Sequence, residues 1–191
     1  MLSPLHPEQR NKLQLNVHLQ GPESAAEGRA DDRVRQLWEK EAPELDTSPI
    51  AVIARLGRAH AYVDRALHAV FAQYGLTRQS FDVLASLRRI GTPYQLTPTE
   101  LYRALMRTSG AITHTLHHLE YAGLIERVPN ENDGRSLLVA LTSAGVALVD
   151  RVGREHLANE RGMLAPLTPE EQATLAALLR RLLIAFEGGQ P

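Results

Sequence analysis

The 191-residue sequence contains no cysteine. That one absence excludes disulfides, thiolate catalysis, thiol-based redox sensing and cysteine-ligated zinc. Long hydrophobic runs are missing as well, since no apolar stretch approaches the ~18 residues that a membrane span requires. The first ten residues carry Pro4, Pro7 and Glu8 in place of the basic-then-apolar layout of a secretory signal. A cytoplasmic chain with no membrane partner is the resulting expectation. Excess charge of either sign is absent too: the net charge is −1, so no general attraction to a polyanion exists, and any nucleic-acid contact must come from locally placed cations. No glycine-rich phosphate loop, zinc-protease helix or nucleophile elbow appears, which argues against an enzyme and against a bound cofactor.

What is present is ordinary for a globular protein, with 43% hydrophobic and 23% charged residues. The length suits one domain, or two small ones, with a real hydrophobic core. Residues 1–30 mix Pro, Gly, Glu, Ser and Ala without a period and read as a flexible tail. Asp31 and Asp32 suit a helix N-terminus, after which Val34, Leu37 and Trp38 fall at helical spacing until Pro43. Ser48 and Pro49 predict the N-cap and first residue of a longer helix to Gly75. Its stripe is Ile53, Leu56, His60, Val63, Leu67, Val70 and Tyr74. Thr77 caps a helix that Gly91 closes. Thr97-Pro98-Thr99-Glu100 is a capping box opening a short helix to about Met106.

Thr108 or Ser109 then caps a helix ending at Gly123. Strands are predicted over 124–128 and 136–141, the second with Leu137, Val139 and Leu141 facing one way, around the turn-forming run 129–134. Two long helices finish the chain, from Thr142 to about Ala165 and from a second capping box, Thr168 to Glu171, through Phe186. The fold class is therefore mainly α (α+β), with a winged helix-turn-helix over about 77–141. Flanking helices cover about 48–75 and 143–187, and residues 31–191 form a single domain.

In a winged helix-turn-helix the second helix enters the DNA major groove. At 100° per residue, Ile112, Leu116 and Leu119 share about 60° of arc and point to the core. Gly110, His114, His117, His118 and Tyr121 lie opposite, with Ser109 and Thr113 near the N-terminal edge. Small polar residues there permit close approach to DNA, and backbone N–H groups at a helix start can hold a phosphate. The helix carries no Lys or Arg, so His, Thr and Ser must donate to base edges in place of the usual arginine–guanine pair. Arg107 and Thr108 lie at its entrance. Charge comes from the hairpin, where Arg127 and Arg135 flank a loop able to reach a phosphate or the minor groove. Asp133 can orient Arg135 by a charge-assisted bond. The plain alternatives are a solvated polar helix face and an Asp-Gly-Arg that only makes a turn.

The stretch Leu96–Val149, LTPTELYRALMRTSGAITHTLHHLEYAGLIERVPNENDGRSLLVALTSAGVALV, resembles the winged-helix core of the multiple antibiotic resistance regulator (MarR) family. The carrying motifs are TSGAIT at the start of the second helix, LEYAGLIER leading into the hairpin, Asp133-Gly134-Arg135 in the wing, and LTSAG after it. The resemblance covers about 48–187. It implies a ligand-responsive repressor that is a homodimer interlocked through its first and last long helices. It implies double-stranded DNA, a pseudo-palindromic operator, as the partner, and a small-molecule pocket between the dimerisation helices and the DNA-reading lobe. The extra N-terminal helix with Trp38 resembles a subgroup that senses urate-like anions. There a Trp on that helix, an Asp before the motif and an Arg in the second helix frame the ligand. Trp38 and Asp82 match, but Thr115 stands at the Arg position. A small aromatic carboxylate or similar anion is the broader expectation for the effector.

Three candidate ligand residues follow, each with a plain alternative. Trp38 is a ligand wall or a packing residue. His60 lines the pocket or is a satisfied core histidine. Asp82 binds ligand or pairs locally with Arg78 or Arg89. A rival reading is a zinc-responsive regulator, because His114, His117 and His118 sit at i, i+3 and i+4. Against it, no carboxylate lies near to complete a ligand set, and this face is needed for DNA.

Overall fold

The computed structural model describes residues 30–105, 109–131, 133 and 136–188. The expected N-terminal tail lies outside them. The chain divides into two units between Ala61 and Tyr62.

In the first unit, α1 (Ala30–Glu41) is followed by a turn and the start of α2 (Ile50–Ala72). Arg55 Nη2 donates to Asp32 Oδ1 at 2.7 Å, linking the two helices. The α2 start differs from the expectation. Ser48 and Pro49 lie in a turn, and the accepting side chain is Asp46, whose Oδ1 takes the Ser48 N–H at 3.0 Å. That bond from the backbone holds the Asp46 carboxyl below its ordinary value. Val34, Leu37, Trp38 and Ile53 are all exposed. Only the C-terminal end of the α2 stripe is buried, at Leu67, Val70 and Phe71.

The second unit holds the core. Thr77 Oγ1 accepts from Ser80 N and starts α3 (Arg78–Arg89). A cis Thr92–Pro93 bond and Tyr94 at φ 60° lead into β1 (Gln95–Leu96), a strand too short to show any period in sequence. The predicted capping box forms, with Thr97 N donating to Glu100 Oε2 at 2.8 Å and Glu100 N to Thr97 Oγ1 at 3.2 Å. It opens α4 (Pro98–Leu105), and α5 (Ser109–Tyr121) follows. Then β2 (Ile125–Pro129) and β3 (Leu137–Leu141) form a hairpin in register Ile125↔Leu141 to Pro129↔Leu137. The sheet order is β1-β3-β2. Val139 and Leu141 face the core as expected. Leu137 does not: it sits at the last pair of the hairpin, beyond the core's edge, and is half exposed.

The second capping box forms at Thr168 and Glu171. Helices α6 (Ser143–Leu164) and α7 (Pro169–Gly188) complete the chain. The core gathers Phe71 and Phe81, stacked at 4.7 Å, with Leu84, Leu87, Leu101 and Val152. No α7 residue is buried: Leu175, Leu178, Leu182 and Phe186 are all exposed. Packing among the described residues therefore does not cover the stripe that these α7 side chains form.

Thr142 joins three elements. Its N–H donates to Leu124 O at 3.2 Å, and its hydroxyl donates to Gly123 O at 2.7 Å. The same oxygen accepts from Gly145 N at 3.0 Å, capping α6. Gly145 is buried there, and a Cβ would fall 2.0 Å from Leu124 O, so no side chain fits.

Candidate nucleic-acid interface

Helix α5 separates its residues as its periodicity demands. Ile112 and Leu119 are 0% exposed and Leu116 1%, packed with Leu101 of α4 in the core. Each buried aliphatic side chain stabilises the helix position by roughly 1.5–3 kcal/mol. Thr113, His114, His117, His118 and Tyr121 are exposed on the other side. Thr115 is buried. Ser109 and Gly110 form the first turn of α5, which puts the helix N-terminus beside this face.

The hairpin stands next to it. Asn130 N donates to Ser136 O at 3.2 Å, and Asn130 Nδ2 to Ser136 Oγ at 2.9 Å, closing the wing loop. Asp133 takes part through its backbone, donating to Asn130 O and accepting from Ser136 N. Arg127, expected to flank the loop, lies within β2 opposite Val139, half-buried, with Nε 3.5 Å from Glu120 Oε2 of α5. Expected contacts Arg107, Thr108 and Arg135 lie outside the described residues.

Two contributors escaped the sequence reading. Tyr102 on α4 places its hydroxyl 3.4 Å from Thr113 Oγ1. An open recess of about 550 Å³ lies between the start of α4 and the wing, lined by Thr97, Thr99, Arg127, Asn130, Asp133 and Ser136. A helix N-terminus meeting a polar hairpin was legible only once β2 and α4 were known to be neighbours. Beside it, the Thr97 N–H and hydroxyl hold the Glu100 carboxyl below its ordinary value.

The candidate ligand residues are not one cluster in sequence or in burial. Trp38, in the first unit, is half exposed. His60, also there, is exposed, so the reading of a satisfied core histidine is corrected: its segment of α2 contributes nothing to the buried core. Asp82 is half-buried on α3. Arg78 points to Asp64 Oδ1 at 3.4 Å and Arg89 to Ser86 Oγ at 3.0 Å. Among the described residues no group of three or more His, Asp or Glu side chains is arranged to hold a metal ion. The zinc reading gains no support. No helix among them is long and apolar enough to cross a membrane.

Comparison with known proteins agrees with this geometry. The model of the MarR family matches residues 74–136, which span α3 to the wing. The HTH-type transcriptional regulator PecS of Dickeya dadantii is 45% identical over 147 residues, 77% of this chain and 89% of that one. The multiple antibiotic resistance protein MarR of Escherichia coli is 37% identical over 124 residues, covering 63% and 82%. The crystal structure of its C80S mutant with operator DNA superposes with a TM-score of 0.61 at 31% identity, over 77% of this chain and 98% of that one. The chain thus belongs to the MarR family of DNA-binding transcription regulators, and it is a regulator and not an enzyme.

Proposed function

We propose that the protein is a homodimeric repressor that reads a pseudo-palindromic operator and is released from it by a small aromatic acid. The carrying observation is α5 itself, whose aliphatic side is fully buried while His114, His117 and His118 face solvent. Serine, threonine and histidine donors at a helix N-terminus suit base edges, and Ser109, Gly110 and Thr113 suit close approach. Arg107 and Thr108 flank that entrance. The wing, with Arg127, Asp133 and Arg135, supplies backbone contacts. Dimerisation is supported by the leucines that α7 leaves uncovered. Two recognition helices then sit about 34 Å apart, so half-sites lie roughly 10 bp apart. The effector acts only through unequal affinity for the DNA-competent and DNA-incompetent dimers. Trp38, His60 and Asp82 are its proposed contacts.

The test is fluorescence anisotropy on duplexes from the DNA upstream of the protein's own gene. His114→Ala should change base preference at one half-site position; equal losses on every sequence would reject a reading role. Arg135→Ala should weaken all duplexes alike and flatten the salt slope by about one unit. An unchanged slope would show that the wing does not touch a phosphate.

A further inference from the structure

Tyr102 is the one tyrosine of α4, and its two ends meet different surroundings. Its ring is partly buried and packs against the hydrophobic core. Its hydroxyl reaches Thr113, an exposed residue of α5, with the two oxygens 3.4 Å apart. A hydroxyl pair bonded at full strength is closer, about 2.7–2.8 Å. The phenol is therefore tied only loosely to Thr113 and can turn its proton to a third group. The first helix of a helix-turn-helix crosses the DNA backbone while the second lies in the groove. Tyr102 belongs to that first helix and its oxygen touches the second, so it stands where a phosphate passes. Phosphate oxygens accept from tyrosine hydroxyls as well as from cations. Neutral donors carry more of this task here, because α5 holds no Lys or Arg.

We infer that Tyr102 is a DNA contact that donates its phenol proton to a backbone phosphate at the entrance of α5, with the Thr113 hydroxyl holding the phenol oxygen in place. The packed ring leaves little rotamer freedom to be lost on binding. The contact carries neither charge nor sequence information, which separates it from the roles given to Arg135 and His114. The inference rests on the reading of α5 as the DNA-reading helix.

The test compares the full-length wild type with Tyr102→Phe, which keeps the ring and removes only the hydroxyl. Anisotropy is read on a duplex from the DNA upstream of the gene and on a scrambled duplex of the same composition. The variant should melt with the wild type and bind both duplexes about three- to tenfold more weakly. Its salt slope should equal that of the wild type, because a neutral donor releases no counterion. In a Thr113→Val background the same substitution should cost less, since the two hydroxyls act together. Single methylphosphonates, placed in turn along both strands of the upstream duplex, then locate the acceptor. The advantage of the wild type over Tyr102→Phe should shrink at one phosphate of each half-site and persist elsewhere, a pattern that a merely structural hydroxyl would not produce. Equal affinities of the two proteins, a change confined to base preference, or an advantage that survives every methylphosphonate would each overturn the inference and leave the regulator reading intact. A wild type that binds neither duplex at low salt overturns that reading and this contact together.

Discussion

Glu120 Oε2 of α5 lies 3.5 Å from Arg127 Nε of β2, and both side chains are partly shielded from solvent. The pair spans the turn between α5 and β2 and braces one against the other. At this separation and exposure its worth is modest. A double-mutant cycle with Glu120→Ala and Arg127→Ala, followed by urea unfolding, should give a coupling of about 0.2–1 kcal/mol. The coupling should shrink in 1 M salt, where the Debye length is about 3 Å. Zero coupling at low salt would remove the brace from this account.

Gly145 is the least replaceable glycine near the site. An added methyl would fall 2.0 Å from the Leu124 carbonyl oxygen, which is backbone and cannot turn aside. Gly145→Ala should destabilise by roughly 1–3 kcal/mol, seen as a fall of several degrees in the melting temperature. Gly153→Ala on the same helix meets nothing. It should be neutral or stabilising by up to about 1 kcal/mol. Equal melting temperatures for the two variants would contradict the packing described.

The α4 capping box carries a pH dependence. Hydrogen bonds from the Thr97 N–H and hydroxyl favour the ionised Glu100 carboxyl and lower its pKa from an ordinary 4.5. A carboxyl depressed by folding stabilises above its unfolded value, and the contribution is lost as pH falls through the folded one. Glu100→Gln should therefore lower stability at neutral pH and converge with the wild type in acid. Urea midpoints measured from about pH 7 down to pH 3 give the comparison; parallel curves would disprove the assignment.

Assembly should fail through α7 alone. Leu178 and Leu182 lie on its uncovered stripe and are exposed. The double variant Leu178→Glu, Leu182→Glu should sediment as a monomer with unchanged helical content and bind operator at least tenfold more weakly. A variant that sediments with the wild-type mass would show that α7 is not the dimer contact.

Much of this was legible in the sequence because it is written in local chemistry. Thr77, Thr97, Thr142 and Thr168 start helices where their side chains say they should, and the spacing of Ile112, Leu116 and Leu119 separates the two sides of α5. The misses share a cause. A stripe such as Ile53–Leu56–Val63 or Leu175–Leu178–Leu182 states that burial is wanted, not which chain provides it. The two-residue β1 has no periodicity to detect. The pairing of Arg127 with Glu120 was not legible, because the two become neighbours only after the chain turns at Gly123. The Arg88–Asp150 pair joins α3 to α6 across 62 positions, and no local pattern announces it.

The hydroxyl of Thr142 sets a limit on how such a regulator can move. Because one oxygen closes the end of α5 through Gly123 and opens α6 through Gly145, those two helices share a hinge pin and have no slack between them. A tilt of α6 therefore pulls on the end of α5 that carries His117 and His118 through a single hydroxyl.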